Sequence, residues 1–285
     1  MFLVMSLFNK VTRSRLFLVG ASVSLLVLIV SLIGPFVAPH GPSEFTKDLL
    51  RPPSRQHLLG TDRYGQDLFS LILRGGSVTL SLAFITVGLA ASLGIGWGIF
   101  AAYTRGVTAI LLNRAIDVSM SFPSILTALF VLAIAGTAGK TALVVAIAFS
   151  FAPRVARVVY GSTLPILQED FILAEKALGA SHARILGIHV LPNLVAPITV
   201  LISIHLPAVI LLEATLSFLG LGAPPDVPTW GRIISDGKKY MQVAPWLTVF
   251  PGMAIIITSL GFNVLGDGLR DLLDPKSVTR LYKGK

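Results

Sequence analysis

The sequence predicts an all-α membrane protein with six transmembrane helices, a polar loop on the cytoplasmic side and an amphipathic segment outside. Of its 285 residues, 54% are hydrophobic and only 13% are charged, whereas a soluble domain carries about 25% charged residues. Apolar runs of the roughly 20 residues that a bilayer requires recur along the chain. The basic residues stand in short segments beside these runs, as is typical of anchoring next to anionic lipid. We therefore interpret the net charge of +9 as membrane anchoring and not as nucleic-acid binding.

The chain contains no cysteine, which excludes disulfide bonds, thiol chemistry and cysteine-based metal sites. Its histidines fall in different segments, apart from one pair in the polar loop. A membrane-embedded hydrolase would need a nucleophile with a base, or a metal cluster, and the spacing suggests neither. We accordingly predict no catalytic residues and no metal site. The five histidines are His40, His57, His182, His189 and His205.

The first span is predicted over residues 16–37. It is long enough to cross the bilayer by itself, and no small-residue cleavage motif follows, so it is expected to be a retained helix that starts in the cytoplasm. The next polar segment, residues 40–76, is predicted to lie outside. There Thr61 or Asp62 is expected to cap an amphipathic helix whose apolar stripe begins at Leu68. The basic residues before the first span are Lys10, Arg13 and Arg15.

Three further spans are predicted over residues 78–103, 115–135 and 141–160. The first of them carries Gly94 and Gly98, a spacing of two small residues that lets helices pack closely. Between the other two lies a segment that ends like a phosphate-binding loop, Gly139-Lys140-Thr141. Ile134 occupies the position of the first glycine of that motif, and the flanks are membrane helices instead of a strand and a helix. No nucleotide site is therefore predicted.

The 141–160 span returns to the cytoplasm at Arg154 and Arg157. In the span before it, Arg114 is positioned to pair with Asp117.

The polar loop covers residues 169–193, EDFILAEKALGASHARILGIHVLPN. Gly179 interrupts its helical pattern, Ser181 is a suitable N-cap for a second short helix, and Pro192 is expected to close that helix. We predict two short helices that meet at an elbow of small residues, where the backbone of a partner can come close.

The fifth span begins near Leu194 and runs through His205 to Glu213. Ionisable side chains at membrane depth are candidates for a transport path. For His205 the alternative is a neutral imidazole that is hydrogen-bonded inside the helix bundle. Glu213 is expected near the outer end, where water or a neighbouring cation can solvate it.

The sixth span is predicted over residues 244–266, so that both termini lie in the cytoplasm. Fourteen of the 23 basic residues then face the cytoplasm and nine face outside, which is the bias expected of membrane proteins. We divide the chain into an N-terminal helix with its external segment (1–76), a five-helix core (77–270) and a cytoplasmic tail (271–285).

The loop at 169–193 resembles the EAA loop of the membrane subunits of ATP-binding-cassette (ABC) importers, whose signature has two alanines, a glycine and a Leu-Pro ending. A His-x-Leu-Pro-Asn ending is typical of the peptide and nickel branch. Three other segments, at 57–67, 217–222 and 266–275, are similar to C-type permeases of the dipeptide, oligopeptide and nickel importers. Ala174, Gly179, Leu191 and Pro192 match the EAA signature; Leu173, Glu175 and His189 depart from it.

The resemblance implies a type I ABC importer permease fold and a subunit that forms half of a translocation path. The implied cargo is a peptide or a related solute such as nickel or a metal chelate, delivered by an extracytoplasmic binding protein. The implied partners are a second, homologous permease subunit, two ATPase subunits and membrane lipid, in a bacterial or archaeal plasma membrane. ATP and Mg²⁺ would be bound by the ATPases, so no cofactor is expected on this chain.

The resemblance also assigns the contact with the ATPase to the 169–193 loop, and His205 and Glu213 remain pathway candidates. An oligosaccharide permease of the same family is one alternative. A secondary transporter driven by an ion gradient is another, but inverted repeats and mid-span carboxylates are not evident. The expected coupling residues are Asp170, Ala174, Glu175, Ala177, Gly179, His189, Leu191, Pro192 and Asn193.

Overall fold

The structure, a computed structural model, describes residues 14–41, 44–136, 139–224 and 227–273. Within these ranges the chain is helical, which confirms the predicted all-α class. Lys10, Arg13 and most of the predicted cytoplasmic tail lie outside the described residues. The helices are α1 (Arg15–Val37), α2 (Leu68–Tyr103), α3 (Gly106–Ser121), α4 (Ser124–Ala135), α5 (Lys140–Leu167), α6 (Asp170–Ala177), α7 (His182–Arg184), α8 (Leu191–Phe218), α9 (Trp230–Gly237) and α10 (Trp246–Leu273).

In the described part of the chain, five helical segments are long and apolar enough to cross a membrane. They are α1, α2, α5, the continuous run from α7 through α8, and α10. The predicted third span is not a single helix. It is divided into α3 and α4, which are bent by 101° at Phe122 and Pro123. Pro123 has no backbone N–H to donate and disfavours a helical conformation at the residue before it, so the first helix stops there. Six spans result if this bent pair counts as one.

The predicted external amphipathic helix is not separate from the second span, because α2 is one helix of 36 residues. Its N-cap is Asp67, whose carboxylate accepts the Ser70 N–H at 2.8 Å, and not Thr61 or Asp62. The Asp62 carboxylate instead accepts the N–H groups of Tyr64 and Gln66, both at 2.8 Å, and closes a turn. The boundary predicted at residue 76 therefore falls inside α2.

The core is formed by α2 lying against α5, with α8 and α10 packed beside them. A Cβ built on Gly94 would lie 2.5 Å from the Val155 Cβ, and one built on Gly98 would lie 2.5 Å from the Ala156 carbonyl oxygen. Both distances are shorter than a van der Waals contact, so only glycine permits this approach. The close packing that the Gly94–Gly98 spacing predicts is confirmed.

Candidate coupling surface and solute path

The elbow of the polar loop is built by a glycine turn. Helix α6 ends at Ala177, and Gly179 follows with a φ of +81°, a conformation that L side chains rarely adopt. The Gly179 N–H donates to the Lys176 carbonyl at 3.1 Å and the Ala180 N–H donates to the Glu175 carbonyl at 3.0 Å. These two bonds form a Schellman motif, which satisfies the carbonyls at the end of the helix.

The second helix of the loop starts at the predicted cap but does not end where it was expected to. The Ser181 hydroxyl accepts the Arg184 N–H at 3.3 Å, as predicted. The chain then continues through a π-helical segment, Ile185–Val190, directly into α8. Pro192 lies in the first turn of α8 and does not close the short helix, because a proline fits this position without breaking the chain direction. The elbow is therefore followed directly by a 37-residue helical run, His182–Phe218.

The inner side of the elbow is held by apolar packing and by one carboxylate. Ile172 and Ile185 are fully buried and pack with Val159 of α5. The Glu175 carboxylate lies 3.6 Å from the guanidinium of Arg184 and 3.6 Å from the imidazole of His189. Glu175 thus links α6 to the π-helical segment within the loop.

The outer side of the elbow is small, apolar and uncovered. Leu178 at its tip is 86% exposed, and a Cβ built on Gly179 would meet no atom within 4 Å. The same loop also exposes Phe171, Leu173 and Ile188, and exposed apolar surface beyond single scattered residues is typical of a contact with another protein. Of the expected coupling residues, Glu175 and His189 are half-buried; those that are exposed are Asp170, Ala174, Ala177, Gly179, Leu191, Pro192 and Asn193.

Two polar contacts connect the loop side of the molecule to neighbouring helices. The hydroxyl of Tyr103, at the end of α2, is hydrogen-bonded to the imidazole of His182. Arg157 of α5 forms an ion pair with Asp117 of α3. Arg114, the partner predicted for Asp117, lies 4.0 Å away, so the closer partner comes from a different helix. Sequence spacing could not identify either contact.

A groove of about 530 Å³ opens beside His205, midway along α8. The imidazole of His205 packs edge-on against the Phe151 ring at 5.2 Å. Its Nε2 is buried and has no hydrogen-bond partner among the described residues. The alternative considered for His205 was a neutral imidazole that is hydrogen-bonded inside the helix bundle. The described part of the structure shows no such bond at Nε2. The groove is lined by Ser124, Ile125, Phe151, Arg154, Ile204, His205, Ala208, Leu211, Leu212 and Thr215.

Glu213 does not lie in this groove, and its predicted solvation at the outer end is wrong. The residue is only 4% exposed. Its Oε1 accepts the hydroxyls of Ser217 at 2.8 Å and Thr229 at 3.0 Å. Thr229 in turn caps α9 by accepting the Arg232 N–H at 3.1 Å. Glu213 therefore joins α8 to the start of α9.

The start of α2 is surrounded by a histidine cluster that the sequence pattern did not predict. The ring centroids of His40 and His57 lie 5.1 Å apart, although the sequence did not lead us to expect that these two histidines lie together. His57 Nδ1 and Asp67 Oδ1 lie 3.1 Å apart, and the other Asp67 oxygen accepts the N–H and hydroxyl of Ser70, both at 2.8 Å. The three groups could approach a metal ion, since their ligand atoms lie within 4.8 Å of one another. Because both Asp67 oxygens already have partners, we interpret the cluster as a clamp that holds the segment 40–67 against the start of α2.

Comparison with known proteins extends over nearly the whole chain. A model of the family described as binding-protein-dependent transport system inner membrane component matches residues 94–278. The dipeptide transport system permease protein of Alkalihalophilus pseudofirmus is 37% identical over 94% of this chain and 88% of its own length. The glutathione transport system permease protein of Escherichia coli is 37% identical over 94% of this chain and 89% of its own.

Among solved structures, inward-facing conformations of the methionine ABC transporter MetNI match with a TM-score of 0.54 at 21% identity. The match covers 70% of this chain and 96% of the chain in that structure. At this level of identity the similarity supports the fold alone.

Proposed function

The chain belongs to the family of binding-protein-dependent transport system inner membrane components, and from this premise we propose that it forms half of the path of an ATP-driven peptide importer. Membership in the family makes it a multi-pass membrane permease with the importer permease fold. The observation that supports a coupling role is the exposed glycine elbow, which is followed from His182 by one helical run that includes α8.

The free energy for transport enters this chain by contact with a partner subunit. The partner ATPases bind ATP and Mg²⁺, and their movement displaces the elbow. Since α8 begins within the same continuous helical run, a rigid-body shift of the elbow also shifts the part of α8 that carries His205. The buried packing of Ile172 and Ile185 with Val159 also links the elbow to α5.

The remaining partners and the cargo follow from the named relatives. A homologous second permease subunit closes the groove from the other side, and an extracytoplasmic binding protein delivers the solute. Relatives named for dipeptides and for glutathione favour short peptides over nickel, metal chelates or oligosaccharides. The membrane is that of a bacterium or an archaeon, with both termini of the chain in the cytoplasm.

Leu178 offers a direct test, because it is exposed and its substitution leaves the packed side of the elbow intact. We expect Leu178→Glu to lower both co-purification of the ATPase subunits and ATP-dependent peptide uptake by about tenfold or more, since it places a charge in an apolar contact. Leu178→Met, which keeps an apolar side chain of similar size, is the matched control. Normal ATPase co-purification and uptake by the glutamate variant, at normal membrane levels, would remove the elbow from this role.

A further inference from the structure

Arg154 lies near the middle of the 28-residue helix α5, although the sequence pattern predicts it at the cytoplasmic end of that span. Its guanidinium donates to the Ser150 carbonyl of its own helix at 3.2 Å and lies 5.3 Å from the centre of the Phe151 ring. Arg157, three residues later, has an acidic partner in Asp117. In the part of the chain that the structure describes, no carboxylate forms an ion pair with Arg154. The permanent positive charge of Arg154 therefore has no carboxylate partner among the described residues.

Arg154 and His205 line the same groove from two different helices, α5 and α8. The Phe151 ring contacts both the Arg154 guanidinium and the His205 imidazole, which holds them on one wall. The other polar side chains of the wall are the hydroxyls of Ser124 and Thr215, and none of the residues that line the groove is acidic. The groove consequently offers hydrogen-bond donors and positive potential, but no negative charge.

We propose that Arg154 and His205 form a carboxylate-binding site that receives the terminal carboxylate of the transported peptide. This rests on the proposed function as a peptide permease. A guanidinium can donate two parallel hydrogen bonds to a carboxylate, and the imidazole of His205 lines the same groove beside it.

The terminal carboxylate suits this site because every linear peptide carries one, whatever its side chains are. A groove with one cationic patch and otherwise apolar walls can therefore accept peptides of different sequence. The two groups also belong to different helices, so a rigid-body movement of α8 relative to α5 would change how the carboxylate is held.

The absence of cysteine from this chain allows a single reporter thiol to test the charge of the groove. Ala208 lies on the groove wall one turn from His205 and is exposed. In the purified complex with its partner subunits, Ala208→Cys is modified with an anionic and with a cationic methanethiosulfonate reagent, and mass spectrometry follows this chain. We expect the anionic-to-cationic rate ratio to fall on the order of tenfold when Arg154→Gln is added, and to stay within about twofold with Arg154→Lys.

Peptide binding is measured with the same reporter. A dipeptide with a free carboxylate should slow the modification of Ala208→Cys, its C-terminal amide should not, and Arg154→Gln should abolish the difference. An unchanged rate ratio, or equal protection by acid and amide, would overturn the proposal. Loss of the second permease subunit from the Arg154→Gln complex would also overturn it, because that subunit would then supply the counter-charge. Failure of the unmodified complex to take up peptide with ATP would instead refute the proposed function.

Discussion

The contact between α2 and α5 depends on two glycines, and alanine substitution measures how closely the helices are packed. A Cβ at Gly98 would lie 2.5 Å from the Ala156 carbonyl oxygen and 2.8 Å from the Val159 Cβ. Carbon–oxygen contacts between packed helices begin at about 3.3 Å. Gly98→Ala therefore forces α2 and α5 apart by roughly 0.8 Å, and Gly94→Ala has a similar effect one turn earlier in α2.

Two opposing free-energy terms set the size of the effect. Overpacking of this kind costs about 1–3 kcal/mol, and replacing glycine by alanine in a helix stabilises by about 0.5–1 kcal/mol. We expect a net loss of about 1–2 kcal/mol for each variant. For a domain of this size that corresponds to a fall in Tm of roughly 2–8 °C.

The same helix contains its own controls, because a Cβ at Gly88 or Gly96 would meet no atom within 4 Å. Gly88→Ala and Gly96→Ala gain the same helix propensity without the clash, so their Tm should stay constant or rise. The measurement is thermal unfolding of the complex in lipid nanodiscs, followed by near-ultraviolet circular dichroism. If Gly96→Ala lowered Tm as much as Gly98→Ala, the close approach of α2 to α5 would not be the cause.

Two further predictions concern polar loops outside the spans. Gly179→Val should lower peptide uptake per ATP hydrolysed, since Gly179 has a φ of +81° and a non-glycine residue there costs about 1–2 kcal/mol. Gly179→Asn should retain most of the coupling because asparagine tolerates this conformation, and equal loss in both variants would contradict the backbone explanation. Burial raises the pKa of Asp62 above its usual 3.8, although the N–H groups of Gln66 and Tyr64 favour its ionised form. The free energy of unfolding should therefore fall as pH rises from 3.8 through the raised pKa of Asp62. Asp62→Asn keeps the acceptor oxygen, so it should raise Tm at pH 7 and leave Tm unchanged at pH 3.5. A lower Tm of this variant at pH 7, with no change at pH 3.5, would refute the explanation.

The features predicted correctly are those that depend on neighbouring residues in the chain. The apolar spans follow from the local hydropathy that a bilayer demands. The elbow follows from Gly179 and the Ser181 cap, both of which act within one helical turn. The close packing at Gly94 also follows from a local pattern, since small residues on one face of a helix permit a neighbour to approach.

The features that the sequence did not reveal are pairings between distant segments. Arg157 and not Arg114 is the closer partner of Asp117, and Glu213 is buried and accepts the hydroxyl of Thr229 from a distant segment.

By itself, the sequence determined that this chain lies in a membrane and that its polar loop turns at an elbow of small residues. Only the tertiary structure decided that Arg154 and His205 share one groove, because the relative rotation and depth of two packed helices set which of their side chains meet.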